Sequence, residues 1–268
     1  MLTDRGILIH ATRDADGLIE VIDDAAGTRS LYFGTRARQS SMRLTDPLAL
    51  QLSYTRTMLA ALLFQPQPQH ILLVGLGGGS LVRFLHGHFP EAFLDCIESR
   101  PAVVDLARRF FQLPRHDRLD IQVGDGAGFL ETCPPAQYDL ILIDAFDGDG
   151  IHPSVCPPAF FSACRRALAP GGVVSTNLWA SPDAALKAIL ANMTAGFDHQ
   201  ILRLPVEKRA NIITLALDRS YTRRELQALR PRAQALEHHL QLDLPKQLRS
   251  LVHHNSGLVR RFLDLRTA

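Results

Sequence analysis

The stretch His70-Ile71-Leu72-Leu73-Val74-Gly75-Leu76-Gly77-Gly78-Gly79-Ser80 decides the fold. Its apolar run is too short for a buried helix and stops abruptly at glycines. An amphipathic segment then begins with Leu81, Val82, Phe84 and Leu85. That order reads as strand, tight turn and helix, with a turn whose backbone can approach a ligand closely. Further on, Phe93-Leu94-Asp95-Cys96-Ile97-Glu98 reads as a second strand ending in a carboxylate. A glycine turn followed by an acid about twenty residues later suits a nucleoside, with the acid on the ribose hydroxyls.

Outward from this unit the pattern keeps alternating. Strands are expected at 70–75, 93–98, 119–123, 138–144, 172–177, 198–204 and 211–217, and helices near 79–88, 101–110, 126–131, 157–168 and 182–195. Such alternation gives an α/β domain with a mostly parallel sheet and helices on both faces. Tyr138-Asp139-Leu140-Ile141-Leu142-Ile143-Asp144 is nearly unbroken apolar, as a central parallel strand should be. The last two runs are joined by a short polar link and predict an antiparallel edge hairpin. Upstream, Ile7-Leu8-Ile9, Leu18-Ile19-Glu20-Val21-Ile22 and Leu31-Tyr32-Phe33 predict a small β-domain over residues 1–45, punctuated by turns at Asp14-Ala15-Asp16-Gly17 and Ala26-Gly27-Thr28. Thr45-Asp46-Pro47 predicts the start of a helix carrying Leu48, Leu52, Thr55, Leu59, Leu62 and Leu63 on one face. Residues 46–220 form the sheet domain in this reading. Residues 221–268 form a helical, basic extension whose recurring leucines favour packing on the sheet domain over a nucleic-acid patch.

The 268 residues are 46% hydrophobic and 21% charged, with a formal net charge of +2. The charge gives no push toward nucleic acid or membrane surfaces. No apolar run approaches the roughly 20 residues that span a bilayer, and the first ten residues hold too short an apolar segment for a signal peptide. Cys96, Cys133, Cys156 and Cys164 are scattered without a CxxC pair and read as reduced packing residues of a cytoplasmic protein. His86, His88, His238 and His239 lack a companion ligand set, so no metal is expected.

Open parallel sheets bind ligands beyond their C-terminal strand ends. Four successive ends offer Gly75, Gly77, Gly78 and Gly79, then Glu98, then Gly124-Asp125-Gly126, then Asp144-Ala145-Phe146-Asp147. Singly, each is equally a tight turn, a helix cap or a solvated loop. Together, in chain order, they describe one rim. Glu98 suits two ribose hydroxyls and Asp125 an adenine amino group. Carboxylates at the nucleoside end disfavour a phosphate-rich ligand and favour a sulfonium nucleoside, S-adenosylmethionine or a derivative. Asp144 and Asp147 can bind a cationic amine in one cleft and take its proton, which an amine must lose before it attacks carbon. Trp179, just past a strand, reads equally as pocket wall or core.

These residues resemble the spermidine synthases, or polyamine aminopropyltransferases. The resemblance runs from about Gln39 to Leu217 and is carried by Gln39, Tyr54, Gly75-Leu76-Gly77-Gly78-Gly79, Glu98, Gly124-Asp125-Gly126 and the segment Tyr138 to Asp147. It implies a small N-terminal β-domain on a Rossmann-like, methyltransferase-type sheet domain. It implies transfer of an aminopropyl group from decarboxylated S-adenosylmethionine, a co-substrate rather than a tightly bound cofactor, to a small-molecule amine, with methylthioadenosine released. Asp144 would be the base, Tyr54 would orient the amine and Asp147 would bind its chain. Gln39, the glycines, Ser80, Glu98, Asp125 and Gly126 would surround the donor. A homodimer is implied; nucleic acid and membrane are not.

The departures from the family pattern are local. Ser80 stands where the family has an aspartate that grips the donor's amino group, and Arg56 stands where a glutamate is usual. If Arg56, Lys208 and Arg209 reach the acceptor cleft they oppose a dication: like charges about 4 Å apart cost roughly 4 kcal/mol at an effective dielectric near 20. The alternative turns Lys208 and Arg209 to solvent, with Arg56 likewise solvated or paired with an acid such as Asp46. Ser80 also admits a donor that keeps its carboxylate. The competing expectations are therefore an S-adenosylmethionine-dependent methyltransferase or aminocarboxypropyl transferase, and a nucleoside-binding module without turnover.

Overall fold

A computed structural model describes residues 2–146, 151–180, 183–197 and 201–255. Five strands open the chain: β1 (Leu2–Thr3), β2 (Gly6–Asp14), β3 (Gly17–Asp23), β4 (Thr28–Tyr32) and β5 (Arg38–Arg43). They pair antiparallel in chain order. The inner face (Ile19, Val21, Leu31, Met42) packs on Val103, Leu106 and Phe111 of the sheet domain.

Helix α1 (Ser53–Met58) continues into a tighter 3₁₀ segment, Leu59–Leu63. The alternation follows with β6 (His70–Val74), α2 (Ser80–His88), β7 (Phe93–Glu98), α3 (Pro101–Phe110), β8 (Leu119–Val123), α4 (Gly126–Thr132) and β9 (Tyr138–Ile143). Then come α5 (Pro158–Ala167), β10 (Leu168–Trp179), α6 (Asp183–Phe197), β11 (Ile201–Pro205) and β12 (Asn211–Leu217), and last α7 (Arg223–Ala228), α8 (Arg230–Leu240) and α9 (Leu244–Asn255). The seven strands of the large sheet lie in the order β11-β12-β10-β9-β6-β7-β8. All neighbours are parallel except β12, which is antiparallel to both β10 and β11. The expected edge hairpin is therefore present, and the sheet is mixed but mostly parallel. Helices cover both faces, giving two apolar layers of which β6 and β9 feed both, through alternate residues. Among the described residues no helix is long and apolar enough to cross a membrane.

The leucines of the C-terminal extension behave as expected: Leu226, Leu236, Leu240, Leu244, Leu248 and Leu251 join the core beside the sheet. A capping box between Thr222 and Glu225 starts α7, and Asn255 ties α9 to the backbone of Arg203 on β11.

The helix expected from Thr45-Asp46-Pro47 is not formed. Asp46 makes an isolated bridge with Arg43, Leu48 is exposed, and the helix begins only at Ser53. Two arginines account for the delay. The Pro47 carbonyl accepts from Arg83 Nε at 3.0 Å, and those of Leu50 and Gln51 accept from Arg56 Nη1. Strand β5 was not anticipated either. Its buried Ser41 is satisfied by Ser30 (Oγ–Oγ 2.8 Å), so a polar run lies inside the sheet without an unpaired hydroxyl.

The chain leaves β6 to β7 and β8 on one side and returns through β9 on the other. Strand ends diverge at such a switch point, and a crevice opens there. Gly75 closes its floor. Its backbone lies at φ +98°, and a Cβ would sit 2.3 Å from the Asp144 carbonyl oxygen. Gly75→Ala is expected to cost roughly 2–4 kcal/mol through backbone strain and displacement of the β9 end. Urea unfolding midpoints measure it; an unchanged midpoint would show that the approach is not required.

Candidate active site

The crevice is a cavity of about 340 Å³ at the β6–β9 switch point. Its wall includes Gln39, Tyr54, Gly75, Gly77, Ser80, Glu98, Asp125, Gly126 and Asp144. Four strand ends and β5 thus converge on one space. Gly78 and Gly79 are not on its surface: a Cβ at Gly78 would meet Ser40 Oγ and Phe111, and one at Gly79 would meet Leu113. Both make room for the turn into α2. Asp147 lies outside the described residues.

Glu98 ends β7 and is buried. Its Oε2 accepts from the Leu76 amide at 2.9 Å and its Oε1 from the Arg100 amide at 3.0 Å. These bonds lock the rotamer and leave lone pairs facing the cavity. Arg100 extends the brace: its guanidinium takes Asp14 of β2 bidentately, at 2.7 and 3.0 Å, and lies 4.5 Å from the Phe33 ring centre. The small sheet is thereby fastened to the rim of the cavity.

Asp125 is the N-cap of α4, with Oδ2 accepting from Gly128 N at 3.0 Å. Its Oδ1 accepts from Ser154 Oγ at 2.8 Å, and Ser154 lies 2.9 Å from His152 Nδ1. Burial works against ionisation, but the Gly128 and Ser154 hydrogen bonds outweigh it and hold the carboxyl below the usual carboxylate range. Asp125 is therefore both a cap and a cavity group.

Asp144 follows β9, and its amide donates to the Val74 carbonyl at 2.8 Å. Burial pushes its carboxyl up to about 6. Hydrogen bonds from Asn177 and Tyr54 pull it back, and the negative charge of Glu98 adds to the rise. Asn177 Nδ2 donates to Asp144 Oδ1 at 2.9 Å. The Tyr54 hydroxyl has two acceptors, the Gln39 carbonyl at 3.2 Å and the Asp144 carboxylate; burial and Asp144 together raise its pKa well above the ordinary phenol value. A carboxyl poised near 6 beside a neutral phenol can take a proton from a cationic group at neutral pH.

Ser80 opens α2 at the opposite wall. Its Oγ is 3.0 Å from Ser40 Oγ and 3.4 Å from Arg83 Nη2. Arg83 is buried, lacks a carboxylate partner among the described residues, and donates to the carbonyls of Gly78, Phe111 and Pro47. Burial lowers its pKa to about 10, so it stays a cation at neutral pH.

Of the two arrangements open for Arg56, Lys208 and Arg209, the structure has the one that leaves them out of the cavity wall. Arg56 binds backbone carbonyls and neither lines the cavity nor meets Asp46, while Lys208 and Arg209 are exposed in the β11–β12 turn. Trp179 belongs to neither core nor cavity wall; it is 40% exposed, its ring 5.8 Å from that of Phe146. The sequence reading overlooked Asn177, whose signal is a buried amide in an apolar strand, and also His152 and Ser154. Among the described residues there is no metal-ligand cluster and the four cysteines are free.

Residues 52–208 match the spermine/spermidine synthase domain. The chain belongs to the spermine/spermidine synthase family. A polyamine aminopropyltransferase of Chromobacterium violaceum is 38% identical over 217 residues, covering 81% of this chain and 82% of that protein. One from Neisseria meningitidis is 33% identical over 243 residues, covering 90% and 92%. Among solved structures, a probable spermidine synthase from Corynebacterium glutamicum superposes with TM-score 0.71 at 24% identity, over 86% of this chain and 88% of that one. Human methyltransferase-like protein 13, solved with SAH, does so with TM-score 0.62 at 27% identity, over 71% and 93%.

The raised Asp144 pKa carries a stability consequence. The folded state binds this proton more tightly than the unfolded chain, whose carboxyl titrates near the ordinary 3.8. The contribution is complete below that value and is lost as pH rises through about 6. Asp144→Asn is therefore expected to raise Tm at pH 8 by about 2–4 °C and to lose the gain near pH 4. Calorimetry at both values checks it; equal shifts at the two would remove the buried charge as the cause.

Proposed function

We propose that this family member transfers an aminopropyl group from decarboxylated S-adenosylmethionine to a small amine, releasing methylthioadenosine. The observation that carries the reading is the convergence of Glu98, Asp125 and Asp144 on one cavity at the sheet's switch point. Glu98 would accept the ribose hydroxyls and Asp125 the adenine amino group. Gln39, Gly75, Gly77, Ser80 and Gly126 would enclose the rest of the donor. At the other end Tyr54 would orient the acceptor, Asp147 would hold its chain, and Asp144 would be the base.

The chemistry is a single displacement. The ammonium of the acceptor gives a proton to Asp144, and the freed nitrogen lone pair attacks the methylene beside the sulfonium. The carbon–sulfur bond breaks with its electron pair going to sulfur, leaving a neutral thioether. The product leaves as a secondary ammonium, and Asp144 returns its proton to solvent. Rate enhancement then comes from alignment and from proton removal by a carboxylate poised near neutrality.

A second reading, transfer from S-adenosylmethionine itself, is favoured by one observation. Position 80 carries a hydroxyl with the Arg83 cation 3.4 Å behind it, a setting that suits a donor carboxylate. Thermal shifts with S-adenosylmethionine, its decarboxylated form and methylthioadenosine separate the two. The aminopropyl reading requires the decarboxylated form to bind tighter and mass spectrometry to find the aminopropylated amine. Preference for the carboxylated form sinks it. Asp144→Asn should lower kcat by about 10²–10⁴-fold with binding retained; full turnover in this variant would refute the base, and no turnover in the native chain on any amine would leave a nucleoside-binding module.

A further inference from the structure

Asn177 is 2% exposed, and its amide has two different ends facing two different partners. Nδ2 donates to Asp144 Oδ1 at 2.9 Å, and Oδ1 accepts from Asn211 Nδ2 at 3.0 Å. An amide can rotate by half a turn at little steric cost, exchanging its donor and acceptor. Only the carboxylate favours the observed orientation from the front. A protonated Asp144 would be equally content with the flipped amide, whose oxygen would accept the carboxyl proton. The residue behind Asn177 therefore decides which face Asp144 meets.

Asn211 stands at the first position of β12, opposite Trp179 in the antiparallel register, so it approaches Asn177 diagonally across the strand pair. Its backbone is fixed as well: its carbonyl accepts from Val206 N at 2.9 Å, which closes the β11–β12 turn. With the Asn211 Nδ2 donor behind it, the Asn177 amide presents its nitrogen to Asp144.

We propose that Asn211 is a positioning residue: its side-chain N–H locks Asn177 with the amide nitrogen toward Asp144, so that Asp144 meets a donor and never an acceptor. The inference rests on the reading of Asp144 as the base and deepens it, reaching one strand beyond the cavity wall. Charged and titratable groups that also act on Asp144 are Tyr54 from α1 and Glu98 from β7, with Asp16, Arg38, Arg100, Asp125 and His152 around the same cavity. None of these is altered by changing Asn211.

The test is a cycle of variants read by the carbon-13 titration of the Asp144 carboxyl in the unliganded protein, which needs no turnover. Asn211→Leu removes the rear donor. It should move the Asp144 midpoint upward by about half a pH unit, because the flipped amide favours the protonated form. In an Asn177→Ala background the same change should do nothing, since its route is gone. Asn211→Asp, near in size and with an acceptor behind Asn177, should shift the midpoint by more than about one unit. In the Asn177→Ala background only its bare charge acts, so the shift should be smaller. This second variant decides the matter if Asn211→Leu fails to fold. Equal shifts in both backgrounds, or none in either, would overturn the proposal. The acid limb of kcat/KM for aminopropyl transfer should follow the same order. If the native chain does not transfer aminopropyl groups, the functional reading falls while the titration still decides the relay.

Discussion

The constraint on which the cavity depends is between two backbones. Gly75 leaves β6 with no side chain because the Asp144 carbonyl occupies the space a Cβ would need. At the same place the Asp144 amide donates to Val74, and the Gly75 amide donates to Ile97 at 2.8 Å. Strands β6, β7 and β9 are thus tied together at their last residues, just where a reversed strand order would let them splay. The positions of Glu98 and Asp144 are consequences of this knot, since one ends and the other directly follows a strand that the knot holds. A looser turn would have set the two carboxylates in separate hollows.

Hydrogen-bond supply then differentiates three carboxylates that share one cavity. Glu98 receives two backbone amides, and Asp125 receives an amide and a hydroxyl. These donors hold the side chains still, which suits the accepting role proposed for them. Asp144 receives side-chain donors, from Asn177 and Tyr54. Burial outweighs these two donors and raises the Asp144 carboxyl to about 6, whereas Asp125 is held below the ordinary carboxylate value. The kind of donor, rather than the residue type, distinguishes them: Glu98 and Asp125 each accept from a backbone amide, and Asp144 from side chains.

The sheet domain was legible because its strands are buried on both faces and so appear as unbroken apolar runs between amphipathic helices. Glycines and acids at their ends mark the rim for the same reason: strand ends are where the apolar requirement stops. What was illegible depended on polar groups satisfied over long sequence distances. Strand β5 reads as a polar loop because Ser41 finds its partner 11 residues away. The false helix at Thr45 fails because Arg83, a residue 36 positions downstream, takes the Pro47 carbonyl. Asn177 and Asn211 lie 34 residues apart, so neither signals the other in a local window. Local pattern predicts burial well; it does not say which buried polar group has a partner.

Arginine shows this limit most sharply. In the sequence, Arg56 is a charge to be placed in or out of a cleft. In the fold it is a brace for carbonyls that α1 leaves open, and Arg83 does the same work between the small sheet's connection and α2. A guanidinium has five donors in a fixed fork, so it can replace a missing turn of helix at several carbonyls at once. Arg83 performs this task without a carboxylate, so its charge is not neutralised where it sits. Ser80 is the cavity residue nearest that charge, and a hydroxyl passes the field on, whereas an acid there would cancel it. The side chain at position 80 thus sets the sign of the potential felt by whatever part of a ligand reaches α2, with the helix amides adding to the positive side. An acid at position 80 would change the electrostatics of the cavity, because the cation beside it is held in place by backbone carbonyls.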